Sequence, residues 1–352
     1  MINKLTGLPL SSEAIDILKR LNRDETVSLE EIQNLREIKE AYSCLSTATH
    51  TIKLKDRENI QKGVFFKLQE MGSAVIDEKG NTLYNGIIRK ESRIDIVIGL
   101  PASGKSSTLV NPISKKYKSR IIDSDEAKKL LPEFNNGWGA GTVHEESKLI
   151  AQNQLITALQ CKENIVWPIV GSKIDKLERQ LSVIKQSYHY RIYLHFNEIP
   201  KNKAIGRMLL RFFEEGRFLD PRLCYQYANV SDVYESLKKR GDLVNGYTKW
   251  NNDVKKGERP RFVEATAGSL SGSFHDNRRD GRTLRGSTDK GSGTISRESG
   301  EIYGGNVEQK LKDVNKPSIL QKIENYKNLI KNKAKPIKNK GKIKKREKEM
   351  DI

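Results

Sequence analysis

A chain of 352 residues is long enough for one large domain with appendages, or for two domains, with a substantial core. Its formal charge of +19, with 31% of residues charged, favours nucleotides, polyanions or anionic lipid as partners and says nothing about fold. Three cysteines, Cys44, Cys161 and Cys224, are odd in number and form no C-x-x-C pair, which argues against a disulfide framework or a zinc knuckle and for a reducing, cytoplasmic setting. No run approaches the roughly 20 apolar residues of a membrane span, and Met1 to Leu10 lacks the pattern of an export signal.

Residues 1–90 read as a mainly helical segment. Ser28-Leu29-Glu30-Glu31 matches a capping box ahead of the periodic stretch Ile32, Leu35, Ile38 and Tyr42. A further helix is expected over Arg57 to Met71, and Ala74-Val75-Ile76 and Thr82-Leu83-Tyr84 read as a hairpin around Gly80-Asn81. From Arg93 the pattern becomes short apolar runs between longer amphipathic stretches, which predicts an α/β domain over 91–267 with a mostly parallel sheet. Its expected strands are Ile94 to Ile98, Arg120 to Ile122, Asn164 to Val170 and Arg191 to Phe196, with Arg261 to Val263 as an edge strand or closing segment. Its expected helices are Lys105 to Tyr117, Asp125 to Leu131, Val143 to Cys161, Ile174 to Gln186, Lys201 to Glu215 and Pro221 to Arg240. Residues 268–305 are rich in Gly, Ser, Thr, Asp and Arg and read as a linker. The tail 306–352 holds a helical stretch and a Lys-rich run; its 15 Lys and Arg against 6 Asp and Glu carry about half of the excess charge. Such a tail is a candidate nucleic-acid contact.

One motif carries chemistry. Gly99-Leu100-Pro101-Ala102-Ser103-Gly104-Lys105-Ser106 satisfies G-x-x-x-x-G-K-[ST], in which backbone N–H groups turn in on phosphate oxygens and the lysine reaches the β- and γ-phosphates. A buried strand leads in, and a helix from Ser107 leads out with its positive end toward the anion. The expected nucleotide set is therefore Gly99 through Ser107, holding ATP or GTP, with Ser106 as a ligand to Mg2+. The next strand ends in Asp123-Ser124-Asp125, at the carboxyl edge where open α/β sheets bind ligands. One carboxylate there would serve the metal, for which Asp123 is the candidate, and the other would accept a substrate proton. The alternative is that Asp125 or Glu126 only favours the first turn of the following helix.

Arg207 and Arg211 lie four residues apart on one helix face, and Gly216-Arg217 follows, an arrangement suited to a lid that closes on phosphates around Gly216. A solvated basic face paired with Glu214 and Glu215 is the plainer reading. Gly137 to Ser147 joins a Gly-rich loop to a helix start bearing His144, Glu145 and Glu146, a candidate acceptor-binding region that also includes Asp123.

Together Gly-Leu-Pro-Ala-Ser-Gly-Lys-Ser, Ile-Asp-Ser-Asp at 122–125 and the Arg207, Arg211, Gly216-Arg217 stretch resemble the zeta toxin family of P-loop kinases, over roughly Ile94 to Glu264. The resemblance implies a kinase that phosphorylates a sugar hydroxyl of UDP-N-acetylglucosamine or a related nucleotide sugar, a toxin role often on mobile elements, and an antitoxin partner. It implies Asp125 as catalytic base, Lys105 as phosphate-binding lysine, and two of Arg207, Arg211 and Arg217 as the charge-stabilising pair. Trp167-Pro168-Ile169-Val170-Gly171-Ser172 departs from the family's acidic residue and Thr after the third strand, which are sugar-nucleotide contacts. Two further readings compete. One is a polynucleotide end-processing protein using its basic tail, the other a front segment acting as a fused antitoxin-like inhibitor.

Overall fold

The computed structural model describes residues 2, 3, 7–47, 57–137, 139–255 and 258–266. The chain divides into Met1–Asp280 and Gly281–Ile352, and every described residue belongs to the first unit. The linker and tail expected over 268–305 and 306–352 lie outside the described residues.

The front segment contains helices α1 (Ser12–Asn22), α2 (Leu29–Asn34), α3 (Arg36–Thr47) and α4 (Glu58–Glu70), then strands β1 (Ser73–Ile76) and β2 (Thr82–Gly86), paired antiparallel. The capping box closes as expected: Glu31 N–H donates to Ser28 Oγ at 3.1 Å and Ser28 N–H to Glu31 Oε2 at 2.8 Å. The helix it opens is shorter than the spacing predicts. Leu35 is extended, at φ −59° and ψ 136°, and separates α2 from α3. Ile32, Leu35 and Ile38 are all buried across that break, so the apolar spacing reports a buried face rather than one continuous helix.

The main sheet has strands β3 (Arg93–Ile98), β4 (Arg120–Ile121), β5 (Ile165–Ile169), β6 (Arg191–Glu198), β7 (Gly246–Asn251) and β8 (Arg261–Ala265), in the order β4-β5-β3-β6-β7-β8. All neighbours are parallel except β7 and β8. A π-helical turn, Ser106–Val110, leads into α5 (Asn111–Tyr117); α6 (Ser124–Lys129) and α7 (His144–Gln160) follow β4, and α8 (Ile174–Tyr188) follows β5. After β6 come α9 (Lys201–Glu215), α10 (Leu223–Gln226) and α11 (Val230–Lys238). This is an α/β fold with the P-loop at the end of a central strand. Three local expectations change. The helix after Lys105 begins with the π turn, the helix expected over Pro221 to Arg240 is divided at Tyr227 to Asn229, and β7 is a strand that the apolar runs did not announce. Along β7 burial alternates, with Gly246, Thr248 and Trp250 inside, so its pattern is period two with only one large apolar residue on the inner face.

All six residues of β3 are buried, and period two splits them between the sheet's faces. Val97 joins Leu109, Val110, Ile113, Val166 and Trp250 under the π turn and α5. Ile94, Ile96 and Ile98 join a larger cluster that includes Leu181 of α8, Leu209 of α9 and Leu237 of α11, and also Ile17, Leu18, Ile32 and Ile38 from the front segment. A third cluster packs Val64 and Leu68 of α4 against Ala127, Leu131, Val143 and Ile150. Front segment and sheet therefore share their apolar cores. No helix of the described residues is long and apolar enough to cross a membrane, and Cys161 and Cys224 are free thiols.

Candidate functional site

The P-loop sits at the carboxyl end of β3, between β5 and β6, where successive crossovers leave in opposite directions along the sheet. That is the switch point at which open α/β sheets bind ligands. Gly99 and Gly104 have φ of 155° and 83°, and Ala102 also has a positive φ, of 56°. A Cβ on Gly99 would lie 2.7 Å from Asn197 O, and one on Gly104 would lie 2.6 Å from Asn252 Nδ2, so both positions need glycine for conformation and for space. The loop is fastened from below by two asparagines. Asn197 Nδ2 and Asn252 Nδ2 both donate to Ser103 O, at 2.7 and 2.6 Å. Asn197 Nδ2 also reaches Thr108 Oγ1 at 3.1 Å. Asn197 stands near the end of β6 and Asn252 just after β7, and sequence reasoning missed both. Their only local signal is their place at strand ends.

Lys105 Nζ donates to Gly99 O at 2.8 Å and Leu100 O at 2.9 Å, so the lysine lies back along its own loop. Burial pushes its pKa down to about 8. Asp123 ends the β4 segment and caps α6, accepting from Asp125 N–H at 2.9 Å. Asp125 and Glu126, the residues of the helix-start alternative, do stand in the first turn, and the cap itself is Asp123. Burial, with the neighbouring Asp125 charge, pushes Asp123 up to about 6. Asp125 behaves oppositely. Burial alone would raise it, but Arg217 and Lys128 outweigh that and hold its carboxyl well below the usual range. Arg217 Nη2 lies 2.6 Å from Asp125 Oδ2, and Lys128 Nζ lies 2.9 Å from Oδ1.

The three arginines have different surroundings. Arg207 is half-buried and donates to Asn252 O and Val254 O at 3.2 and 2.9 Å, close to Gly104. Arg211 pairs with Glu215 at 3.2 Å, the plainer arrangement weighed from the sequence. Arg217, just after the α9 cap at Gly216, is the one joined to Asp125.

The acidic cluster at the start of α7 does not act as a unit. Glu146 is buried, and its carboxylate accepts from Arg57 Nε at 2.9 Å and Gln61 Nε2 at 3.1 Å. Glu145 is exposed and pairs with Lys148 at 2.8 Å. His144 is half-exposed, its pKa lowered by burial and by Lys128 and Lys148. Of the candidates for acceptor contacts, Glu146 already has its charge matched by the front segment, and Glu145 by its own helix.

Ser106 and Asp123 line one small cavity, together with Asn111, Tyr84 and Glu126. The hydroxyl of Ser106 and the carboxylate of Asp123 are of the kind that suits a hard cation such as Mg2+, which binds through one or two carboxylates plus substrate phosphates, while the buried Arg120 lines the same cavity. Among the described residues no group of three or more His, Cys, Asp or Glu is placed to hold a metal by itself.

No protein family model matches the chain, and no curated protein matches it. Solved structures do. The chain is similar to a structure from the PezAT chromosomal toxin-antitoxin system of Streptococcus pneumoniae, at 10% identity and a TM-score of 0.47 over 62% of this chain and 85% of that one. It is also similar to the AvrRxo1-ORF1:AvrRxo1-ORF2 complex with sulphate ions, at 16% identity and a TM-score of 0.42 over 59% of this chain and 64% of that one. A third similarity is to a putative kinase from Chloroflexus aurantiacus, at 15% identity and a TM-score of 0.32 over 40% of this chain and 78% of that one.

Proposed function

We propose that this chain is an ATP-dependent kinase of zeta toxin type, which transfers the γ-phosphoryl group to a hydroxyl of a small molecule. The observation that carries the reading is the carboxylate of Asp125 in the first turn of α6, just past β4, joined to Arg217 from beyond the end of α9. Phosphoryl transfer needs little covalent help from a protein. It needs phosphate held in place, charge neutralised on the transferred group and a group to take the acceptor proton.

Each task has a residue. The loop amides from Gly99 to Ser107 cradle the phosphates, and Lys105 exchanges its two carbonyl partners for phosphate oxygens. Ser106 and Asp123 would hold Mg2+, which would offset the charge of the phosphates when bound. Arg207 and Arg217 are the charge-stabilising pair in this assignment, because both reach the loop or the base, whereas Arg211 is paired along its own helix. Asp125 accepts the acceptor proton, and His144 lies within electrostatic reach of it on the acceptor side.

A nucleotide sugar such as UDP-N-acetylglucosamine is the acceptor class that the motif resemblance proposes, and an antitoxin partner follows from the same resemblance. A cytoplasmic setting, where ATP is supplied, is part of the same proposal. The test is ATP consumption by the full chain with a panel of nucleotide sugars, comparing wild type with K105A and D125A. The expected result is turnover by wild type and a loss on the order of a hundredfold or more in each variant, the scale of a removed phosphate clamp or general base. Equal turnover by all three rules the reading out.

A further inference from the structure

Lys128 occupies a place where a lysine is costly. Its side chain is 7% exposed, on a helix whose Ala127, with Leu131 just beyond the helix end, is packed against Val64 and Leu68 of α4 and Ile150 of α7. A buried ammonium must be paired. Its Nζ partner is Asp125 Oδ1 at 2.9 Å.

Asp125 has a second cation on its other oxygen, Arg217 Nη2 at 2.6 Å from Oδ2. The two cations are held differently. Lys128 stands three residues beyond Asp125 on α6, so its distance to the carboxylate is set within one helix and depends on no loop. Arg217 comes from outside α9, one residue after the left-handed cap Gly216. Its Nε is buried with no hydrogen-bond partner, so the guanidinium is under-bonded where it rests. A phosphate offers such a group a bidentate partner of higher charge. An oxygen held by Arg217 has one of its two acceptor sites taken, and its charge partly matched, so it is a poorer base toward an acceptor hydroxyl.

We propose that Lys128 is the positioning residue for Asp125: it keeps Oδ1 fixed while Arg217 leaves Oδ2 for the nucleotide phosphates, so that Oδ2 is the oxygen that meets the acceptor hydroxyl. The assignment rests on the kinase reading above, in which Asp125 is the base. In the step, the acceptor oxygen bonds to the γ-phosphorus as its O–H bond breaks and the proton passes to Oδ2. The bond from the γ-phosphorus to the oxygen bridging to the β-phosphate breaks, and its electron pair leaves on ADP. The proton on Oδ2 then passes to solvent. Lys128 touches neither substrate; it acts through the carboxylate.

Full-length wild type, K128M and K128R are assayed for transfer of labelled γ-phosphate from ATP to UDP-N-acetylglucosamine and to the metabolites of a cell extract. Binding and thermal melting are measured alongside. K128M is expected to keep the KM for ATP within about twofold and to lower kcat about tenfold or more, a part of the roughly 10²–10⁴-fold that a placed base supplies. K128R, which restores the cation, is expected to recover most of that loss. A crystal structure of wild type with a non-hydrolysable ATP analogue is expected to show Lys128 still on Oδ1 and Arg217 on phosphate. Where K128M melts below the assay temperature, K128R and that structure decide. Wild-type kcat in K128M, a defect that K128R does not repair, or Arg217 still on Oδ2 beside bound nucleotide each overturns the assignment. Transfer by wild type that is indifferent to Lys128 removes this proposal alone. A wild type that binds ATP and transfers nothing removes the kinase reading and this proposal with it.

Discussion

Asp123 and Asp125 are two residues apart and are tuned in opposite directions by what surrounds them. Asp123 is pushed up by burial and by the charge of Asp125, whereas Asp125 is held down by Arg217 and Lys128. Environments that separate like groups in this way divide acid, base and ligand roles. A fully buried carboxylate, Asp95, has a structural task. Asp95 accepts from Arg93 Nε and Nη2 at 2.7 and 2.6 Å, and its Oδ1 meets His195 Nε2 at 3.0 Å. The Arg93 guanidinium is stacked between the Tyr117 and Tyr193 rings, 3.6 and 3.7 Å from their centroids. Burial would raise the Asp95 pKa, but the His195 and Arg93 bonds outweigh it and hold it below its ordinary value. A carboxylate depressed in the folded state contributes stability that is present above its unfolded pKa of about 3.9 and is lost as pH falls through the folded value. D95N should therefore flatten the acid limb of melting temperature against pH below about pH 4. At pH 7 it should lower stability by about 3–5 kcal/mol, because Arg93 is left buried without its counter-charge. Thermal melts of both proteins across that range check both parts, and an unchanged acid limb would count against the linkage.

At the scale of elements, the site depends on α6, which carries Asp125 and Lys128 and has only six residues. So short a helix has little stability of its own, and packing holds it. The packing comes from α4 and α7, and Arg57 locks it at the α4 N-terminus by binding Glu133 Oε2 at 2.6 Å and Glu146 Oε1 at 2.9 Å. R57M should leave the buried Glu146 charge unmatched and destabilise the unit by ~3 kcal/mol, the lower end for a broken buried pair because Glu133 is partly exposed. The urea midpoint measures the loss, and amide exchange should rise first in α4 and α6. Much of this was legible: the capping box, α9 over Lys201–Glu215 and the strand before the P-loop all stand where periodicity places them. The division of the Pro221 to Arg240 helix and the strand β7 were not. Tyr227 to Asn229 contain no strong breaker, and β7 has a polar half-buried row beside a single large inner residue.

At the scale of the molecule, described residues of the front segment share the interior of the unit that holds the P-loop. Leu10, Ile17, Leu18, Ile32 and Leu35 belong to the same buried cluster as Ile94, Ile96 and Leu194, Leu21 packs on Gly206, and Tyr42 Oη donates to Asp220 at 3.0 Å. Each large apolar side chain uncovered forfeits roughly 1.5–3 kcal/mol, so losing these five exceeds much of the roughly 5–15 kcal/mol that keeps a domain folded. Residues 91–280 alone should therefore fail to melt cooperatively, while residues 1–280 should give one sharp transition by circular dichroism. A cooperative melt from the shorter chain would show that the front segment is separable. The shared core argues against a front segment that acts as a detachable inhibitor.

The P-loop, its strand and the Asp pair were determined by the sequence alone, because the chemistry of phosphate binding lies in eight consecutive residues whose φ angles and reach are local. The capping of helices is local for the same reason. Only the tertiary structure decided that Arg217 rather than Arg211 meets Asp125, at a separation of 92 residues, and that Arg57 takes Glu146, at a separation of 89. Spacing along a helix tells which side chains share a face, whereas which distant charge faces them is set by how the buried apolar surfaces bring the elements together.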